Sequence, residues 1–387
     1  MQGFSKSPMT RETTSSNKIA LLATGDEICH GDILNSNSQE ISRRLFSHGI
    51  EIGTHLAVPD LLFEIEKAIH FLLSDHRAIV ITGGLGPTSD DLTRYAVSNA
   101  TQRELIFDDA TWNAIVLRLK RFGYETPPET NKRQALFPKG AVIIQNPNGT
   151  AAGCFLKLGE QFIFMLPGPP PECLPMIDNT VLPALLQAGF QQVSYHQKWL
   201  LFGVSEGQIA EELDALAKPF DCVTGYRLWY PYIEFKLHSN NQKDFTTLVQ
   251  LVEKTVAPYL FSDGKKAASQ LLKNTLEHLD YSLSIIDTAT GGLLESTIKT
   301  PATSTKVSFI HNANADVQIE IKGLNEFWQQ KNDATKTTLE ISFTREQKTK
   351  RLEAEIPFRG SRVRNYALEF ISSRIWEYLT TRETAVH

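Results

Sequence analysis

The stretch Ile79-Val-Ile-Thr-Gly-Gly-Leu-Gly-Pro-Thr-Ser-Asp-Asp-Leu-Thr93 decides how the chain reads. An apolar run from Ala78 to Ile81 feeds a turn containing Gly83, Gly84 and Gly86. Thr88-Ser-Asp-Asp91 follows, and then Leu92, Ala96 and Val97 recur at helical spacing. Strand, glycine loop and helix start form the layout that presents backbone N–H groups to a phosphate. No Lys-Ser/Thr follows the glycines, so this is not a Walker loop, and the spacing does not fit the dinucleotide fingerprint. Instead, Asp90 and Asp91 stand where a phosphate calls for cations. Two readings fit. Thr88 and Asp91 have capping-box spacing, and acids in a first helical turn suit the macrodipole. Alternatively, a divalent cation bridges carboxylates and phosphate. The three glycines favour the second reading, because a plain cap needs none of them.

Working outward, the flanking text repeats the strand–helix alternation. Ile19 to Ala23 is a short buried-type strand that turns at Thr24-Gly25-Asp26-Glu27. Asn35-Ser-Asn37-Ser38 caps a helix carrying Ile41, Leu45 and Phe46, and Gly49 closes it. A strand over Ile50 to Val58 ends at Pro59-Asp60, and a helix over Leu61 to Leu73 leads back to the opening stretch. Such alternation predicts an α/β fold with a doubly wound, mostly parallel sheet. Ligands bind such sheets beyond the carboxyl ends of the strands. Three strand ends here carry acids, at Asp26-Glu27, Asp60 and Asp90-Asp91.

Downstream, Asp108 to Phe122 reads as an amphipathic helix and Asn131 to Leu136 as a short one. Asn146-Pro-Asn148-Gly149-Thr150 is a polar turn. A hairpin over Cys154 to Leu166 runs into Pro167-Gly168, with Glu172 at the start of a helix reaching about Ala188. Either turn could be a plain connection, and Glu172 a dipole-favoured acid.

Composition bounds the rest. The chain has 387 residues, net charge -5 and four cysteines (Cys29, Cys154, Cys173, Cys222) with no C-x-x-C pair. This argues against a disulfide scaffold or zinc site and for a reducing, cytoplasmic setting. The charge gives no bulk attraction to nucleic acid or acidic membranes. No apolar run reaches the ~18 residues of a membrane span. Residues 1–17 read as a polar, disordered lead-in.

The motifs at Thr24–Glu27, Gly31–Asn37, Thr82–Thr93, Asn131–Ala135, Asn148–Thr150 and Leu166–Gly168 with Glu172 make residues 18–190 resemble the N-terminal domain of the CinA (competence/damage-inducible) family. That domain is related to the molybdopterin-binding proteins MogA and MoaB. Two positions depart from the family pattern: Ala152, where proline is usual, and His30, where an apolar residue is usual. The resemblance implies a metal-dependent pyrophosphatase that takes the small-molecule nucleotide ADP-ribose to AMP and ribose 5-phosphate. The implied catalytic acids are Asp91, Asp60 and Asp90. Asp90, Asp91 and Glu172 would hold the metal (Co²⁺, Mn²⁺ or Mg²⁺). Gly83, Gly84, Gly86, Thr88, Thr24, Gly25, Asp26, Glu27, Asn37, Asn148, Gly149, Thr150 and Gly168 would line the substrate. Which carboxylate acts as base stays open, and family habit implies a homodimer. A second function from another class stays open as well, a nucleotide- or molybdopterin-binding regulator without turnover.

Residues 191–266 resemble the small KH-like α+β domain of the same family. A KH-type RNA clamp needs a G-x-x-G loop among basic residues. Gly203-Val-Ser-Glu206 offers neither, so RNA binding is not expected. Residues 267–387 resemble the nicotinamide-mononucleotide deamidase domain of the family. Where that family has Ala-Glu-Ser-Cys-Thr-Gly-Gly with a serine nucleophile, this chain has Asp287-Thr288-Ala289-Thr-Gly-Gly292. The later glycine-rich loop is missing too, since no glycine occurs between Gly323 and Gly360. Phe358–Arg364 and Tyr366–Leu379 fit the family's last strand and helix. A retained fold with a degenerate, inactive site is expected.

Overall fold

A computed structural model describes residues 17–124, 126–331 and 333–383. All but the last residue of the lead-in expected over residues 1–17 lies outside them. Contacts divide the chain into two compact units, the first ending at Val193 and the second beginning at Ser194.

The first unit contains strands β1 (Ile19–Thr24), β2 (Ile52–Val58), β3 (Ala78–Thr82), β4 (Leu105–Phe107), β5 (Leu136–Pro138), β6 (Val142–Ile144), β7 (Gly153–Leu158) and β8 (Gln161–Leu166). Its main sheet has the order β2-β1-β3-β8-β7-β6, and β4 pairs with β5 apart from it. Strands β2, β1, β3 and β8 run parallel, whereas β7 and β6 are antiparallel additions. Every residue of β1 and β3 is buried, as strands covered on both faces must be. Leu22, Ile79 and Ile81 pack into one layer; Ile19, Leu21 and Val80 pack into the other. β6, antiparallel to β7, points the same way as β8. The carboxyl ends of β1, β2, β3, β6 and β8 therefore share one edge, and the loops that follow them, Asn146–Thr150 included, leave from it.

The local caps follow the sequence. Asn35 caps the helix Ser36–Phe46, its side chain accepting from the Ser38 N–H at 3.1 Å. Asp108 does the same for the helix Asp109–Arg121, accepting from the Thr111 N–H. The helix expected up to Ala188 runs unbroken over residues 170–187, widening to a π-type turn over Ile177–Val181. Pro175 and Pro183 flank that turn, and each removes a backbone donor.

The second unit begins with β9 (Tyr195–Phe202), the helix Glu206–Ala217, β10 (Val223–Trp229), β11 (Tyr232–Ser239) and the helix Gln242–Val256. These strands form an antiparallel sheet, β10-β11-β9, whose inner face packs Trp199, Phe235 and Leu237 beneath the helices. The reading of the chain contained no strand at β10. Its Val-Thr-Gly-Tyr-Arg-Leu-Trp sequence lies on a sheet edge with no buried residue, so it carries no alternating signal.

The same unit continues with β12 (Leu283–Asp287), β13 (Val307–Ser308), β14 (Val317–Gly323), β15 (Lys336–Arg345) and β16 (Lys348–Pro357), in the order β13-β12-β14-β15-β16. The helices Ala268–Glu277 and Val363–Glu383 accompany this sheet. The glycine-free text after Gly323 is a long antiparallel hairpin, β15–β16, whose tip residues Glu346 and Gln347 both have positive φ. The last strand is β16, not Phe358–Arg364, which turns through Gly360 into the closing helix. Glu369 on that helix accepts from the Tyr232 hydroxyl at 2.7 Å and from the Ser269 N–H and hydroxyl, tying the two parts of the unit together. No helix among the described residues is long and apolar enough to cross a membrane.

Candidate active site

A cavity of about 530 Å³ lies at the shared carboxyl edge of the first unit. The β3 loop forms one wall. Gly83 sits at φ +104°, and a Cβ there would come within 2.3 Å of the Thr24 carbonyl oxygen, so only glycine lets the two strand ends approach this closely. Thr93 fixes the loop from below, its hydroxyl donating to the Gly83 carbonyl at 2.9 Å and lying 3.2 Å from the Thr24 hydroxyl. The helix begins at Thr93, so Thr88 and Asp91 do not cap it.

Asp91 folds back over the loop. One of its oxygens accepts from the Gly86 N–H at 2.6 Å and the other from the Thr88 N–H at 2.8 Å and the Thr88 hydroxyl. Asp91 is therefore a clamp that shapes the glycine turn, and it lines the cavity as well. Glu172 behaves alike. It accepts from the Asn146 side-chain amide at 2.6 Å and presses so close to Gly149 that a Cβ there would sit 1.9 Å from its carboxylate. Asn148 donates to the Pro171 carbonyl at 2.6 Å. The Asn146–Thr150 turn is thus pinned to the helix start that carries Glu172. Thr150 and Glu172 line the cavity; Asn148 and Gly149 stand behind the wall.

Further acids come from the other two strand ends. Asp26 and Asp60 exchange hydrogen bonds, each backbone N–H donating to the other's carboxylate at 3.2 Å. The second oxygen of Asp60 is buried and has no partner. Burial raises the Asp60 pKa above the ordinary carboxylate range. The Asp26 N–H opposes this, and the neighbouring charges of Asp26, Glu27 and Asp90 add to it. These carboxylates are near enough to feel one another, as expected for three acidic strand ends on one edge. Glu27, Asp60 and Asp90 line the cavity together with Thr24, Gly25, Gly84 and Gly86.

On the β8 side, the Asn37 amide donates to the Gly168 carbonyl at 2.5 Å, leaving its own oxygen buried and unpartnered. No lysine or arginine belongs to the cavity lining among the described residues. Nor are three or more His, Cys, Asp or Glu side chains among the described residues already gathered as a metal cage. The site still fits a hard divalent cation. The orphaned Asp60 oxygen and its acidic neighbours are all-oxygen donors, and Mg²⁺-like ions use one or two carboxylates plus substrate phosphates and water. The carboxylates in the cavity lining are Glu27, Asp60, Asp90, Asp91 and Glu172, so the acids expected to hold a metal (Asp90, Asp91 and Glu172) lie there beside Glu27 and Asp60.

Arg94 escaped the sequence reading. It is buried, donates to the Leu85 carbonyl at 2.8 Å and to the Ala152 carbonyl at 3.2 Å, and so braces the glycine loop against the start of β7. Burial pulls its pKa down to about 10. The signal was present, since Arg94 is the one basic residue between Ile79 and Val97.

The second glycine turn, after β12, is built differently. Asp287 accepts from the Ala289 N–H at 3.0 Å, the Thr290 N–H at 2.9 Å and the Thr290 hydroxyl. The Thr288 hydroxyl donates to the Ile321 carbonyl at 3.0 Å, and Ala289 is fully buried. The Trp328 indole N–H donates to the Ala289 carbonyl at 2.9 Å, and Arg364 donates to the carbonyls of Thr290 and Gly291.

The parallel sheet, its glycine loop and the carboxyl-edge cavity define a molybdopterin-binding-like domain, and the family described as "Probable molybdopterin binding domain" matches residues 20–187. A CinA-like protein of Geobacter sulfurreducens is 32% identical over 301 residues, covering 76% of this chain and 73% of that one. A CinA-like protein of Citrifermentans bemidjiense is 33% identical over 294 residues, covering 74% and 70%. The chain belongs to the CinA-like family. Among solved structures, the protein CinA of Thermoplasma acidophilum, described as of unknown function, is 27% identical, with TM-score 0.41 over 44% of this chain and 99% of that one.

Proposed function

We propose that the first unit hydrolyses a nucleotide pyrophosphate, ADP-ribose to AMP and ribose 5-phosphate, with a divalent cation (Co²⁺, Mn²⁺ or Mg²⁺) bound among the lining carboxylates Asp90, Asp91 and Glu172, with Glu27 and Asp60 beside them. The observation that carries this reading is the charge of the cavity, where a phosphate-type glycine loop faces a set of carboxylates with no lysine or arginine in the described lining. A pyrophosphate entering alone would meet only like charge. The cation supplies neutralisation of the phosphate oxygens and acidification of water when bound. Asp60 has one oxygen held by the Asp26 N–H and the other unpartnered; with the cation held by the other lining acids, that oxygen is left to take a proton from the attacking water. The water oxygen adds to one phosphorus, the P–O–P bond breaks, and both halves leave as phosphate monoesters. Gly83 and Gly84, lacking side chains, let the loop close onto Thr24 and Thr93 beneath the cavity. The unpartnered Asn37 oxygen accepts from a hydroxyl or amine of the nucleoside.

The test is AMP release from ADP-ribose across the metal panel, in wild type and Asp60→Asn. Metal-dependent release that falls at least about a hundredfold in Asp60→Asn supports the reading. Tight nucleotide binding with no AMP under any metal overturns it in favour of a binding or regulatory protein. One observation favours that second reading: Asp91 and Glu172, two of the expected metal acids, are occupied in holding loops. For the second unit we infer that deamidation is absent, because the Thr288 hydroxyl is bound to a strand carbonyl and Ala289 is buried.

A further inference from the structure

The Asn146–Thr150 turn has a cavity on each side. The second, also about 530 Å³, shares Thr150 with the first and is lined on its other side by the helix Asp109–Arg121. Its charge is opposite. Arg118 and Arg121 line it, and no acid does among the described residues. Arg118 holds the turn by long hydrogen bonds to the Asn146 and Pro147 carbonyls, at 3.4 and 3.2 Å. Thr111 supplies an independent sign of a ligand. It lines the cavity and is only 4% exposed, and its hydroxyl has no partner. A buried hydroxyl left unpaired is costly unless something else binds it. Phe122 lines the same cavity with 69% of its surface exposed, so its ring face is open to a planar group there.

We propose that this second cavity binds a nucleoside monophosphate, with Arg118 and Arg121 on the phosphate, the Thr111 hydroxyl donating to it, and the Phe122 ring against the base. The volume suits a mononucleotide, and paired guanidinium groups suit a phosphate monoester. The choice of a nucleotide over other phosphate esters rests on the hydrolase reading of the first cavity; the anion site itself does not. The two cavities are coupled through their common wall. A phosphate that draws Arg118 away from the Asn146 and Pro147 carbonyls loosens, from behind, the turn that Glu172 holds from the front.

The experiment is calorimetric titration of the full chain in EDTA with AMP, adenosine and inorganic phosphate. Without a divalent cation the acidic first cavity disfavours phosphate, so the heat reports the second. AMP is expected to bind about one per chain, roughly tenfold or more weaker in Arg121→Ala. Thr111→Val should weaken AMP several-fold while raising the thermal midpoint, since it removes the unpaired hydroxyl. A neutral effect of both substitutions on AMP would overturn the site. So would the absence of AMP binding, or binding abolished by Asp60→Asn and untouched by Arg121→Ala. Adenosine binding as tightly as AMP would overturn the phosphate assignment; inorganic phosphate doing so would overturn the role of Phe122. Failure of AMP release from ADP-ribose, measured separately with metal, would sink the hydrolase and leave this binding result standing.

Discussion

Two glycine turns, one after β3 and one after β12, follow the same plan of buried strand, paired glycines and helix start, yet they differ in which atoms hold them. After β3, the contacts that fix the loop come from below or from its own length. Thr93 and Arg94 brace the carbonyls of Gly83 and Leu85, and Asp91 ties the Gly86 and Thr88 N–H groups. The loop still faces a cavity. After β12, Asp287 takes up the N–H groups of Ala289 and Thr290, while Trp328 and Arg364 cover the carbonyls of residues 289–291. In both turns an aspartate takes two backbone N–H groups, Gly86 and Thr88 in the first and Ala289 and Thr290 in the second. What sets the first apart is the cavity it lines and the carbonyls that Trp328 and Arg364 cover only in the second.

The comparison can be broken in order of expected effect. Asp60→Asn should lower AMP release at least about a hundredfold with little change in the unfolding midpoint, since it removes a proton acceptor and keeps the fold. A loss of stability that tracks the loss of rate would reduce Asp60 to a structural acid. Arg94→Met should destabilise the first unit by about 3 kcal/mol, because two buried carbonyls lose their donor at once. Denaturant midpoints read this, and a change under ~1 kcal/mol would remove Arg94 from the account. Trp328→Ala should cost about 2 kcal/mol, less than a fully buried tryptophan because the ring is 49% exposed. It should produce no ammonia from nicotinamide mononucleotide, and ammonia release would show that the second turn is blocked and not decayed.

The smallest effect concerns acid stability in the second unit. The Glu234 side chain is 2% exposed and pairs with Lys236 and Arg227, both at 3.0 Å. Burial pushes its pKa up, but Lys236 and Arg227 outweigh this and hold the carboxyl below the ordinary range. A depressed folded-state pKa contributes stability above the unfolded value, near 4.3, that disappears as pH falls through the folded value. Glu234→Gln should therefore flatten the acid limb of the stability curve and leave its slope unchanged above that range. An unchanged acid limb would show that Lys236 and Arg227 do not act on Glu234 in solution.

Much of the first unit was legible because its signals are local. Period, caps and glycines placed β1, β2 and β3, and the strand ends then put Asp26, Asp60 and Asp90 on one edge. The work of each acid was not legible. Residue type and spacing do not say which neighbouring groups a carboxylate binds, and Asp91 and Glu172 hold loops while lining the cavity. Arg94 was missed because a basic residue at a helix start reads as surface. In the second unit, β10 carried no alternation, and the β15–β16 hairpin turns on Glu346-Gln347, which lacks the Asn-Gly signature of a type I′ turn.

The central claim is that the acidic edge of the first unit accepts a pyrophosphate only together with a divalent cation. The direct measurement is calorimetric binding of a methylene-bridged, non-hydrolysable ADP-ribose, with Mn²⁺ and with EDTA, to wild type and Asp60→Asn. The account predicts at least tenfold tighter binding with Mn²⁺ in wild type, and most of that gain lost in Asp60→Asn. Equally tight binding in EDTA would contradict it.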